Sequence, residues 1–115
     1  MVASEFEADK PPSVGEPVRG SRSGRPIMVL LDLLGRRWAL RVLWELRDGA
    51  SATFRELQTR TGGVSASVLN DRLRELRAAG IVETDADGYR LSSDGRDLLA
   101  SLAPLQVWAQ RWGDS

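Results

Sequence analysis

The sequence predicts a mainly helical domain with one small β-hairpin. Apolar residues recur at helical spacing in several short segments, a Thr-Gly-Gly break at 61–63 separates two of them, and an Asp87-Gly88 pair lies between two alternating segments. A length of 115 residues suits one domain. Residues 1–24 are rich in Pro, Gly, Ser and charge without periodicity, which predicts a flexible tail, and we expect residues 25–113 to fold.

The first helix is predicted from Pro26, which suits a first helical turn, to Gly35, which ends it. A second helix follows from about Arg37 to Arg47, where Asp48-Gly49 is a terminator. The apolar stripe of the first helix is Ile27, Leu30, Leu31 and Leu34, and that of the second is Ala39, Val42, Leu43 and Leu46.

The third helix and the turn after it are marked by local sequence signals. Thr53 and Glu56 have the spacing of a capping box, in which each residue bonds a backbone N–H of the other. Gly62 and Gly63 allow the positive φ of a tight turn, and Ser65 is a good cap for a helix that starts at Ala66. This pattern predicts a helix-turn-helix.

The helix from Ala66 has one apolar face and one polar face. At about 100° per residue, Leu69, Leu73 and Leu76 share the core side, and the opposite side is polar. In helix-turn-helix docking, the N-terminal part of the second helix meets base edges, and amide, guanidinium and carboxylate groups can read bases there. The predicted base-reading residues are Ser67, Asn70, Asp71 and Arg74.

Two residues of this helix have alternative interpretations. Arg72 lies beside the apolar stripe, so we favour a structural ion pair over base reading. The alternative for Asp71 is a local ion pair with Arg74 at i+3 or with Arg72 at i+1, of which only the i+3 geometry is favourable.

After this helix, residues 81–84 and 89–91 have strand character on either side of Asp87-Gly88, which predicts a hairpin. A short strand around residues 51–53 is expected to join it. Ser92 caps a long closing helix, which Pro104 should kink or interrupt. The order of these elements is that of a winged helix, in which the hairpin is the wing.

The charge is concentrated, although the formal net charge is zero. Residues 21–77 hold eleven Arg against six acids, which is the electrostatic pattern expected where a protein approaches phosphates, although solvated arginines are common. Arg36 and Arg37 would oppose the dipole at the start of the second helix, so either they answer a nearby anion or they are plain solvated arginines. The predicted phosphate contacts are Arg36, Arg37, Thr53, Arg55 and Ser65.

The composition argues against several functions. The chain has no Cys and no His, which excludes disulfides, thiol sensing and the usual zinc ligands, and we find no nucleophile–base pair or phosphate loop. We therefore predict no enzymatic activity and no cofactor. Neither a membrane-spanning run nor a secretory signal is present, so we expect a cytoplasmic protein, and the fifteen Arg to one Lys suggest a GC-rich bacterial genome.

Several motifs in the right order resemble the HxlR-type transcriptional regulators over roughly residues 25–112. They are Leu34-Gly35-Arg36-Arg37-Trp38, Thr53-Phe54-Arg55-Glu56-Leu57, Val64-Ser65-x-x-Val68-Leu69-x-x-Arg72-Leu73-x-x-Leu76-x-x-x-Gly80-Ile81-Val82, and Tyr89-x-Leu91-Ser92-x-x-Gly95-x-x-Leu98 with Trp108 and Trp112. The resemblance implies a homodimeric regulator that binds double-stranded DNA and whose first and last helices pair between subunits. It also implies repression as the commoner role.

The sequence departs from that family in three places. Gly-Gly-Lys-Trp of the family is here Gly35-Arg36-Arg37-Trp38, which keeps the positive charge. The cysteine that many members use as a sensor is missing. The wing turn at 85–88 is short and has two acids, so we do not expect it to reach deep into a minor groove.

The four tryptophans have two interpretations. Trp108 and Trp112 are i, i+4 neighbours, and we favour dimer packing and core for them. The alternative is a pocket for a small aromatic effector between closing helices, with Trp38 or Trp44 contributing. The residues predicted for the dimer interface or this pocket are Ile27, Leu30, Leu31, Trp108 and Trp112. A winged-helix module for protein partners, without specific DNA binding, remains the alternative function.

Overall fold

A computed structural model describes residues 25–114 of the chain. These residues form five helices and a two-stranded antiparallel sheet, as the sequence predicts. In chain order the elements are α1 (Pro26–Leu34), α2 (Ala39–Glu45), α3 (Phe54–Arg60), α4 (Ala66–Ala78), β1 (Val82–Asp85), β2 (Gly88–Leu91) and α5 (Ser93–Gly113). The proposed tail at residues 1–24 lies outside the described residues.

The core forms where the predicted apolar stripes of α2 and α4 meet. The stripe predicted for α1 is only partly buried, because this helix buries Val29, Leu33 and Leu34 and exposes Ile27 and Leu31. The stripe of α2 is wholly buried, and it packs with the stripe of α4 and with Leu57 of α3. These residues are aliphatic and fill the space between helices without polar atoms that need partners. The α2 and α4 residues concerned are Ala39, Val42, Leu43, Leu46, Leu69, Leu73 and Leu76.

The hairpin has the predicted strands and a small third component. Val82 pairs with Leu91 and Asp85 pairs with Gly88. Ala52 adds an isolated bridge to Tyr89, with both backbone N–H···O bonds at 2.8 Å. The strand expected near residues 51–53 is therefore a single bridge.

The predicted start of the second helix is wrong by two residues, because α2 begins at Ala39. Trp38 has a φ of 76°, in the left-handed region that a non-glycine residue seldom adopts, and a helix cannot continue through it. Its ring is half-buried against the core, and this packing is available to hold the conformation. Arg36 and Arg37 therefore lie in a turn before the helix.

Pro104 does not interrupt the closing helix, since α5 is continuous from Ser93 to Gly113. A proline removes the hydrogen bond to the carbonyl four residues earlier, here that of Ala100. Ala100 and Pro104 are both exposed, so water can reach that carbonyl. The cost of the proline is thereby reduced at this surface position.

Candidate nucleic-acid interface

The start of α3 is fixed by the predicted capping box. Thr53 Oγ1 accepts the Glu56 N–H at 3.1 Å, and Glu56 Oε1 accepts the Thr53 N–H at 2.9 Å. The backbone hydrogen bond from Thr53 chiefly lowers the pKa of Glu56, and the Thr53 side chain and the Arg60 charge lower it further. Two local hydrogen bonds therefore fix the residue at which α3, the first helix of the helix-turn-helix, begins.

The turn after α3 and the cap that follows it fix the residue at which α4 begins. Gly62 and Gly63 have φ values of 82° and 111°, which confirms the expected use of glycine here. Ser65 Oγ then accepts the Val68 N–H at 3.3 Å, and α4 begins at Ala66 as predicted. The first turns of α4 carry the polar residues singled out from the sequence.

The predicted base-reading residues lie together along one side of α4. Ser67, Asn70 and Arg74 are exposed and Asp71 is half-buried. Arg74 and Asp71 form an i, i+3 ion pair at 3.2 Å, which is the alternative interpretation of Asp71. Because both partners are substantially exposed, this pair is weak and can be exchanged for a base edge.

A buried carboxylate lies on another side of α4. Glu75 is 2% exposed and accepts from Arg72 at 2.6 Å and from Arg36 at 3.1 Å. Arg72 Nε also donates to the Arg37 carbonyl at 2.8 Å. The preferred interpretation of Arg72 as a structural ion-pair residue is confirmed.

Arg36 is therefore largely buried, whereas a phosphate contact requires an arginine at the surface. Its side chain is only 10% exposed and lies between Glu75 and Asp32, 3.1 and 3.5 Å away. Sequence reasoning missed Glu75, although its i, i+3 spacing from Arg72 beside the apolar stripe was a usable signal. We leave Arg36 out of the phosphate contacts proposed below.

The other predicted phosphate residues lie at the surface. Arg37 and Arg55 are exposed, and Arg55 is in the first turn of α3, where free backbone N–H groups favour an anion. The Thr53 hydroxyl accepts a cap bond and keeps its own hydrogen to donate. The Ser65 hydroxyl accepts a cap bond and also lies 3.4 Å from the Ser67 hydroxyl, a contact in which either oxygen can donate. Four groups therefore remain available for phosphate oxygens.

The wing is acidic at its tip. Asp85 accepts the Ser51 hydroxyl at 2.6 Å, and this bond chiefly lowers the pKa of Asp85, with smaller contributions from the Asp87 N–H and Arg90. Arg90 pairs with Glu83 at 2.7 Å. Negative charge at the tip opposes a deep approach to the sugar–phosphate backbone, which stays a prediction.

Two apolar surfaces lie away from α4. On α1, Ile27 and Leu31 are exposed, whereas Leu30 packs partly against the core. On α5, Trp108 and Trp112 are exposed and stack on each other with ring centroids 5.9 Å apart. Large apolar residues exposed in this way mark contact surfaces.

Two further properties concern only the described part of the chain. Within residues 25–114, no helix is long and apolar enough to cross a bilayer. The same residues contain no group of three or more acidic side chains placed to hold a metal ion.

Comparisons with known proteins agree with this geometry. The profile of the HxlR-like helix-turn-helix family matches residues 33–115. The HTH-type transcriptional regulator YvaP of Bacillus subtilis is 31% identical over 91 residues, which cover 73% of this chain and 83% of YvaP.

Solved structures share the fold. The quinone-bound YodB of B. subtilis superposes with a TM-score of 0.68 at 30% identity, covering 74% of this chain and 96% of YodB. A MarR-family regulator from Enterococcus faecalis V583 superposes with a TM-score of 0.69 at 26% identity, over 76% of this chain and 86% of that protein. The architecture described above is therefore that of winged-helix regulators.

Proposed function

The chain belongs to the HxlR-like helix-turn-helix family of transcriptional regulators, and from this premise we propose that it binds double-stranded DNA sequence-specifically as a homodimer on an inverted repeat. We propose repression as its role, because a protein seated on an operator blocks access to it. Its place of action would be the cytoplasm. The relatives are regulators, and we assign no catalytic activity.

The observation that carries this proposal is the polar side of α4. Its start is fixed by the Ser65 cap, its apolar side is buried, and Ser67, Asn70 and Arg74 project from the opposite side. A helix held in this way can enter a major groove with side chains that pair with adenine and guanine edges. Arg37 and Arg55 would hold the backbone on either side.

Dimerisation is proposed through α1 and α5. Ile27 and Leu31 on α1, and Trp108 and Trp112 on α5, remain exposed in the single chain. Burying such residues against a second copy removes apolar surface from water, at about 25 cal/mol per Å². A two-fold dimer would present two α4 helices, which accounts for an inverted repeat.

A small aromatic effector is also proposed. YodB has been solved with a quinone bound, which is a property of that protein. This chain has no cysteine with which to react with such a compound, so any effector here must bind without a covalent bond to sulfur.

Selection of bound duplexes from a random pool, at near-physiological salt, tests the proposal. We expect an enriched inverted repeat whose half-sites are about 10 base pairs apart, centre to centre. Anisotropy titration of the selected duplex should then show that Arg74→Ala relaxes preference at one base position by about 1–3 kcal/mol. Arg77→Ala, an exposed arginine at the end of α4 outside the proposed contacts, is the matched control.

The alternative is a winged-helix module that binds a protein partner. The neutral overall charge favours it. The DNA proposal would be replaced by this one if no duplex were enriched, if binding to duplexes were weak and lost at moderate salt, and if wild type and Arg74→Ala bound equally.

The salt dependence separates backbone contacts from base reading. If each subunit neutralised three or four phosphates, log K would fall with log salt at a slope of roughly −5 to −7 per dimer. With Arg36 in a buried ion pair, Arg37 and Arg55 are the remaining arginines of that set, and a slope of about −4 follows. Arg55→Gln should reduce the slope by about 2 while the preferred sequence is unchanged. A slope that Arg55→Gln leaves unchanged would remove this residue from the contacts.

A further inference from the structure

An open groove lies between α2 and the N-terminal half of α5, on a different surface from the exposed tryptophans of α5. Its volume is about 810 Å³, which is in the range of small-molecule sites. Its apolar lining includes Leu40 and Trp44 from α2, and Leu99 and Leu102 from α5. Leu40 and Trp44 are 49% and 40% exposed, so the described residues leave this apolar surface open to solvent.

The groove and the proposed dimer surface use different sides of α5. At about 100° per residue, Leu99, Leu102, Ala103 and Gln106 fall within an arc of about 100°. Trp108 and Trp112 lie at least about 130° from the centre of that arc. A second copy on the tryptophan side would therefore not need to cover the groove.

The charged part of the lining has one sign. Arg41, Arg47 and Arg96 line the groove, and no acidic residue does. Arg41 is partly neutralised by Glu45 at 3.0 Å. Arg47 and Arg96 instead donate to the carbonyls of Trp44 and Leu91, at 3.0 and 3.2 Å. None of the ion pairs found within residues 25–114 involves Arg47 or Arg96.

We propose that this groove binds a small amphipathic carboxylate that acts as an effector of DNA binding. The apolar body would pack on Leu40, Leu99 and Leu102, and the carboxylate would accept from Arg47 or Arg96. A guanidinium group matches a carboxylate with two parallel N–H···O bonds, which a neutral ligand cannot provide. The effector role rests on the proposed function, because it requires DNA binding. Binding of the carboxylate itself can be measured without DNA.

A ligand in the groove has a direct structural path to the base-reading helix. It would contact α2 through Leu40 and Trp44. The buried stripe of α2 packs on α4 through residues that are fully buried, including Val42 and Leu43. A ligand that shifts α2 relative to α5 would therefore change the position of α4 and its fit to the DNA.

Calorimetric titration of the full chain with 2-naphthoate, and with 2-naphthalenemethanol as the neutral analogue, tests the binding. We expect 2-naphthoate to bind more tightly than the alcohol, and the Arg47→Gln, Arg96→Gln double variant to weaken 2-naphthoate about fivefold more than it weakens the alcohol. The alcohol measures the packing contribution of these residues, since the Arg47 guanidinium also lies over the Trp44 ring at 4.2 Å. Arg77→Gln, which removes an exposed arginine outside the groove, is the matched control and should leave both affinities unchanged. Equal affinity for acid and alcohol, or no binding by either, would overturn the proposal.

Two further measurements separate the other outcomes. Saturating 2-naphthoate should change the affinity of the wild type for the selected duplex at least severalfold. The Arg47→Gln, Arg96→Gln double variant should show no such change. If 2-naphthoate bound the wild type without changing its affinity for the duplex, the effector role would be overturned. If Leu40→Glu converted a dimer to a monomer, the groove would be an interface between copies and the proposal would be wrong. Failure to select any duplex while 2-naphthoate still binds would overturn the proposed function and the effector role, and would leave the carboxylate site in the groove standing.

Discussion

Glu75 links α4 to the turn between α1 and α2 through its carboxylate. It lies on α4, pairs with Arg72 of the same helix, and pairs with Arg36 from the turn after α1. Arg72 in turn donates to the Arg37 carbonyl. The position of α4 relative to the α1–α2 turn therefore depends on one buried acidic group.

Replacing Glu75 with Ala should destabilise the fold by about 3–5 kcal/mol, because it leaves two largely buried guanidinium groups without their shared partner. Urea denaturation measures the change in the free energy of unfolding. Glu83→Ala is the control, since Glu83 also pairs with an arginine but both partners are exposed, and its loss should be under about 1 kcal/mol. Similar small losses for the two variants would contradict the buried network.

Glu56 predicts a pH dependence. Its pKa lies below the ordinary value of 4.5 in the folded chain, because the charged carboxylate accepts the Thr53 N–H. The stabilisation is thus present above pH 4.5 and is lost as the pH falls through the lowered folded pKa. The difference in unfolding free energy between wild type and Glu56→Gln should therefore be larger at pH 6 than at pH 3. A difference that stays constant over this range would refute the assignment.

At the scale of elements, the beginning of α5 is held unusually close to the chain before β1. Ser92 caps the helix by accepting the Gly95 N–H at 3.0 Å, and its hydroxyl also donates toward the carbonyls of Gly80 and Ile81. A Cβ on Gly95 would overlap the Ile81 carbonyl oxygen. Glycine is required here by close approach.

Gly95→Ala should therefore destabilise the fold by about 1–3 kcal/mol, because the helix or the backbone at Ile81 must move. Thermal or urea denaturation provides the readout. Gly113→Ala in the same helix is the matched control: a Cβ there meets no atom within 4 Å, and no loss is expected. A Gly95→Ala protein as stable as Gly113→Ala would show that α5 is not packed as closely as described.

At the scale of the whole molecule, the C-terminal half of α5 is exposed on the described chain. Every residue from Ala103 to Asp114 is exposed, including Trp108 and Trp112. A helix of this composition gains stability mainly by packing an apolar face. The proposed dimer supplies that packing through a second copy.

Sedimentation velocity tests the proposed dimer. We expect Trp108→Glu and Ile27→Glu to shift the wild-type dimer toward monomer, because a charge would be buried in an apolar contact. Leu40→Glu, which places the same charge on an exposed leucine of the groove, should leave the dimer intact. A monomeric wild type would exclude the proposed interface.

The sequence by itself determined the type and order of the elements and the core stripes of α2 and α4. Capping at Thr53, Ser65 and Ser92, the glycines of the turns and the spacing of apolar residues are local signals that act within a few residues. The exposed side of α4 follows from the same periodicity, because burying Leu69, Leu73 and Leu76 leaves the opposite side in solvent.

Only the tertiary structure decided the rest. The burial of Arg36 depends on Glu75, 39 positions away, and the left-handed Trp38 depends on packing against the core. Trp44 and Leu102 line the same groove between α2 and α5, although no local sequence pattern predicts that they lie near each other. Charge and apolar character alone cannot tell an arginine that faces a phosphate from one that neutralises a buried carboxylate, because that difference is set by contacts between residues distant in the chain.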